Sequence, residues 1–189
     1  MSELGESVFK AFGFLNDFLK DISKLFTTIE ENMGNHGMAA FGDAATFWEH
    51  SRAYYAPSKW LPKYIARHYV AKPIGKAKPD LRSQWFVVFV VYLTPEKIQE
   101  PMAFWGVGTQ AEENDLWDVC NKMGLYHKDG PDFVEMKSAK GWKSPKKLPK
   151  QLKSLKYKIC PVVELHSAKV VDEVVIQPLL KEISGVSKE

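Results

Sequence analysis

Residues 84–94 constrain the fold more than any other segment. Their two alternating sets, Trp85, Val87, Phe89, Val91, Leu93 and Phe86, Val88, Val90, Tyr92, are both apolar. A strand with one wet face alternates apolar with polar side chains, so a strand dry on both faces belongs inside a sheet covered above and below.

The cover is also written in the chain. Leu4, Val8, Phe12, Leu15, Ile22, Ile29 and Met33 recur at helical spacing, with Asp17, Lys20, Asp21, Lys24, Glu30 and Glu31 between them. That spacing predicts a helix over 3–33, ended by Gly34. Such a helix is about 45 Å long at the standard rise, longer than most small domains are wide. Part of its apolar stripe is therefore a candidate for docking on a protein partner. A second helix is expected over 168–184, from the spacing of Val171, Val175, Leu179 and Ile183, with a kink because Pro178 cannot donate to the Val174 carbonyl.

Between these covers, residues 102–107 read as the antiparallel neighbour of the central strand. Residues 157–165 read as a third strand, which Pro161 pushes towards an edge or a bulge. Residues 132–136 suggest a short edge strand, and 112–123 a helix closed by Gly124. Residues 38–70 are read as an aromatic helical region, with Asp43 and Ser58 as caps, and 71–83 as a loop. Leu148, Leu152 and Leu155 allow one or two helical turns in the lysine-rich stretch. The expectation is one α+β domain over 1–189, with a mixed or mainly antiparallel sheet. Its buried central strand (84–94) is covered by the long N-terminal helix and the C-terminal helix, and the sheet region 84–185 carries a basic segment at 137–158.

Composition narrows the class. At 45% apolar and 26% charged, the 189 residues are those of a globular chain rather than a disordered one. The longest strongly apolar run, residues 85–93, is about half the length a membrane helix needs. With Glu3 and Glu6 at the start and no basic leader, a cytoplasmic protein without membrane contact is expected. Cys120 and Cys160 then read as buried thiols in a reducing compartment.

Charge is sorted along the chain. Residues 137–158 hold nine lysines and no acid, residues 51–82 sum to +7, and the intervening and flanking blocks are net acidic. Two basic stretches of this kind recruit an anionic partner if they adjoin in space. In the first, Arg52, Lys63, Arg67, His68 and Arg82 interleave with Trp60 and Tyr64; placed on a helix, Trp60, Tyr64, Arg67 and His68 share one side. In the second, Lys143, Lys146, Lys147 and Lys150 surround Trp142. Cations that neutralise phosphates beside rings that stack on bases are the chemistry of a single-strand binder. An acidic protein surface is the competing partner, and a solvated lysine loop with rings in the core is the plain structural alternative.

Two catalytic patterns are weaker. Gly106, Gly108 and Ala111 match the spacing of a dinucleotide loop, but Glu112, Glu113 and Asp115 would repel a pyrophosphate there. Asp132 or Asp80, with Glu135 and Lys137, contain the pieces of a metal-dependent nuclease, in which carboxylates hold Mg²⁺ and the lysine steadies developing charge. The five histidines show no zinc spacing, and no resident metal or cofactor is expected. The chain is expected to be a non-catalytic binding protein that holds a polyanion, nucleic acid first. The alternatives are a subunit docking through its N-terminal helix and charge blocks, and a metal-dependent hydrolase.

Overall fold

The computed structural model describes residues 3–41, 63–72, 85–93, 100–112, 119–120, 124–125, 131–132, 134–135, 137–138 and 141–186. Helix α1 runs Glu3–Asn35, and the left-handed Gly37 (φ 76°) turns the chain into the sheet. Five strands follow: β1 Met38–Ala40, β2 Tyr64–Ala71, β3 Trp85–Tyr92, β4 Met102–Gln110 and β5 Leu152–Pro161. They lie in the order β1-β2-β3-β4-β5, every pair antiparallel, so β3 is central as its composition demands. The C-terminal helix comprises α2 (Ala168–Val171), a π-helical turn (Asp172–Ile176) and α3 (Gln177–Val186).

The sheet has two dry faces. On one, Val87, Phe89, Val91, Ala103 and Trp105 are roofed by Ile22, Leu25, Ile29 and Met33 of α1 and by Val171, Val175, Ile176 and Leu179. On the other, Phe86, Val88, Val90, Phe104 and Ile159 meet Phe41, Val119, Cys120, Leu125 and Val134. Every residue from Phe86 to Tyr92 is fully buried. Cys120 and Cys160 belong to different faces, and no disulfide joins them. Burial and the Glu164 charge push the Cys160 thiol up to about 12, against a smaller opposing pull from Lys158, so it stays protonated.

Three expectations are corrected. The helical region 38–70 contains two strands instead, β1 and β2, while residues 42–62, with both expected caps, lie outside the described residues. On β2, Tyr64 and Ala66 face one core layer and Ile65 and Tyr69 the other. Residues 152–156 are strand rather than helical turns. A register shift opposite Thr109/Gln110 lets Leu152 and Leu155, three apart, fall on one face. Asp132 sits in a turn, and neither Val134 nor Glu135 is in a strand, so the described residues of 132–136 form none.

The dinucleotide-like glycines lie inside β4 and form no phosphate loop. A Cβ on Gly108 would sit 2.5 Å from the Phe86 ring, and one on Gly106 2.7 Å from the Lys156 carbonyl oxygen. These glycines let the neighbouring strands and the Phe86 ring close onto β4. Pro178 distorts its helix as expected: the Gln177 N–H reaches back five residues to the Asp172 carbonyl, and the π-turn absorbs the missing donor.

Candidate protein-docking surface

The two basic stretches do not meet through the residues expected to join them. Arg67 lies on β2 under α1, its side chain only 12% exposed, and forks onto Glu30 (Nη2–Oε1 2.8 Å, Nε–Oε2 3.3 Å). A guanidinium spent on an internal carboxylate is not presented to a phosphate. His68 points into the opposite face, buried against Phe41. Burial, with the Arg67 charge behind it, lowers its pKa to about 3, so the ring stays neutral. Tyr64 is buried on the same face of β2, and Lys63 is half-buried. The shared helical side proposed for Tyr64, Arg67 and His68 is thus replaced by a strand that sends Arg67 one way and the other two the opposite way. Arg52, Trp60, Asp80 and Arg82 lie outside the described residues.

The lysine segment runs along the outer edge of β5. Lys143 exchanges both backbone hydrogen bonds with Tyr157, at 2.9 Å each, and so covers part of that edge. Its ammonium lies 3.7 Å from Glu135, which also pairs with Lys137 at 3.5 Å. Two lysines therefore hold the carboxylate that the nuclease pattern assigned to a metal, and Asp132 is exposed on a separate turn. Among the described residues no three His, Cys, Asp or Glu side chains gather as a metal set.

Lys156 pairs with Glu182 of α3 at 2.7 Å, and Lys158 stands 5.6 Å over the ring of Trp142. Trp142 is half-buried, lining a groove with Gln177, Pro178 and Lys181 of the C-terminal helix. Lys146, Lys147, Lys150 and Lys153 are exposed, and none has a carboxylate within ion-pairing distance among the described residues.

The other unusual surface is the first half of α1. Its stripe is a heptad seam: Val8, Phe12, Leu15, Leu19, Ile22, Phe26, Ile29 and Met33 alternate at spacings of four and three. From Phe18 onward the seam is seated on the sheet. Before it, the same seam runs past the edge of the body, where Leu4, Phe9, Phe12 and Phe14 are 68–75% exposed. The outward side is built for water, with Glu6–Lys10 (2.7 Å) and Asp17–Lys20 (3.0 Å) bridging successive turns.

Where the helix meets the body, a groove of about 600 Å³ opens between Phe18, Asp21, Lys24 and Leu25 of α1 and Val162, Val163, Leu165 and His166. Val163 is 72% exposed on its rim. Phe9, Phe14 and Val163 were absent from the residues singled out by sequence. The signal was there for two of them: Phe9 and Phe14 sit off the stripe, where a helix buried on one side only carries polar residues. No protein family, curated protein or solved structure matches this chain. No helix among the described residues is long and apolar enough to cross a membrane.

Proposed function

We propose that this chain is a docking subunit, and that the projecting half of α1 is what it offers to a protein partner. One observation carries the reading: a single seam is core over residues 22–33 and stands in water at Val8 and Phe12, with Leu4 beside them. Three Phe rings, a Leu and a Val exposed to this degree amount to roughly 600 Å² of apolar surface. That is at the upper end of what a monomer usually shows in one patch, and patches of this size are commonly functional. A lipid surface suits it less well, because interfacial helices line their polar face with Lys and Arg, whereas Glu3, Glu6 and Asp17 make this one mildly acidic.

The test is site-specific photocrosslinking in the cells that make the protein. A benzophenone side chain at position 9 or 12 gives a discrete adduct, and one at position 10, on the outward face, does not. Absence of any adduct from positions 4, 8, 9 and 12 sinks the reading.

A second reading is favoured by the row of exposed cations at Lys146, Lys147, Lys150 and Lys153, which meet no carboxylate among the described residues. On it, this edge holds a polyanion, nucleic acid first, by phosphate neutralisation alone. Reversing Lys146, Lys147 and Lys150 to Glu then abolishes binding in low salt without lowering stability by more than about 0.5 kcal/mol. If filter binding detects no affinity of the native protein for DNA or RNA, this second reading goes.

A further inference from the structure

We infer that the occupant of the projecting helix is a second copy of this chain, paired antiparallel through residues 4–15. The inference rests on the docking reading and names the partner. Its first support is the character of the seam. In coiled coils the positions flanking the seam carry the charges that select a foreign partner. Here those flanks are Leu4, Phe9 and Ala11, and all the charges (Glu3, Glu6, Lys10, Asp17) lie on the outward side. An uncharged seam with uncharged flanks fits another of its own kind, and an acidic or basic partner finds no counter-charge on it.

The second support is steric. From Phe18 on, the sheet occupies the seam side of α1. A parallel partner would bring its own sheet to that same level, so the two bodies would collide between the helices. Only the antiparallel arrangement puts the bodies at opposite ends. With the two-fold axis near residue 10, Phe12 of each copy packs on Val8 of the other. The two Phe9 rings meet on one flank, and the two Ala11 methyls meet on the other.

The third support is what happens at the ends. In that register Leu4 of the second copy is level with Asn16 and reaches Phe18 at the mouth of the groove, where Leu25 and Val163 lie beside Asp21, Lys24 and His166. The overlap of about 15 residues spans roughly 22 Å. Covering Leu4, Val8, Phe9 and Phe12 on both copies buries roughly 1,000 Å², the least that a specific interface needs.

The experiment uses the full chain. Sedimentation equilibrium at micromolar concentration is expected to give twice the 21.5 kDa of one chain. Phe9→Glu with Phe12→Glu is expected to give a monomer with an unchanged thermal transition, since both positions lie outside the core. Val163→Glu, which leaves α1 untouched, weakens association at least tenfold. Under mild oxidation Ala11→Cys links two copies, whereas Lys10→Cys, one residue away on the outward face, does not.

A protein that is monomeric at every concentration overturns the inference. So does a dimer that survives the double Glu variant or links through Lys10→Cys, and so does a monomer that binds anionic vesicles instead. A monomer whose position-12 photocrosslink yields an adduct of some other mass overturns self-pairing while leaving the docking reading standing. With no adduct at all, both fall.

Discussion

Residues 3–17 and 18–33 of α1 share one heptad pattern and one set of outward ion pairs, yet the sheet seals Ile22, Ile29 and Met33 while Leu4, Phe9 and Phe12 face water. Pattern alone therefore says that a helix has a face to bury, and the length of the body decides how much of that face is buried at home. The packed half contributes to the stability of the fold, and the projecting half is the part proposed to serve association.

The widest separation between the halves is expected from truncating one seam residue in each. Ile29→Ala should cost about 3 kcal/mol, because the surrounding core cannot close over the lost methyls. Phe12→Ala, measured in monomeric protein, should cost less than about 0.5 kcal/mol. Urea midpoints at unchanged slope read both, and equal losses would erase the distinction.

Charge pairs sharpen it next. Glu30→Gln leaves the Arg67 guanidinium buried without its carboxylate and should cost about 2 kcal/mol. Lys10→Gln breaks an exposed pair of the projecting half and should cost no more than about 0.3 kcal/mol.

Acid, taken over the first pH unit below 6.5, gives the third and smallest contrast, about 1.4 kcal/mol. His68 is neutral in the fold down to about pH 3, whereas the unfolded chain takes up its proton near 6.5. Its contribution to stability is therefore full above about pH 6.5 and is lost as pH falls towards 3, at up to about 1.4 kcal/mol per pH unit. His68→Gln should flatten that part of the melting-temperature profile, with the carboxylates acting alike in both proteins. Association through residues 4–15, which contain no histidine, should not respond to the substitution.

Much of the scaffold was legible in the residues. The doubly apolar run at 85–92 could only be central, and the stripe from Leu4 to Met33 could only be helical. What misled was β2. Tyr64, Ala66, His68 and Val70 alternate with Ile65, Arg67 and Tyr69, so nearly every position is bulky or buried and the period of two leaves no polar trace. Arg67 and His68 resembled a wet helical side because their cover comes from distant residues, Glu30 and Phe41. Likewise the bulge in β5 placed Leu152 and Leu155 at a helical interval within a strand.

The proposed docking surface was half visible. The length of α1 announced an overhang, but Val163 and its groove exist only once the chain after β5 has folded back against the helix. The expected convergence of basic residues failed at Arg67 for the same reason, since a local run of cations says nothing about which of them the fold consumes.

The ordering of the sheet has a consequence for synthesis on the ribosome. Every strand pairs with the one made just before it, so the hairpins can close in turn as they emerge. Helix α1 cannot finish so early, because its seat includes Val171 and Val175, which are made only after β5. Throughout elongation the nascent chain therefore trails a greasy rod awaiting its lid. Two neighbouring ribosomes on one message would hold such rods within reach of each other.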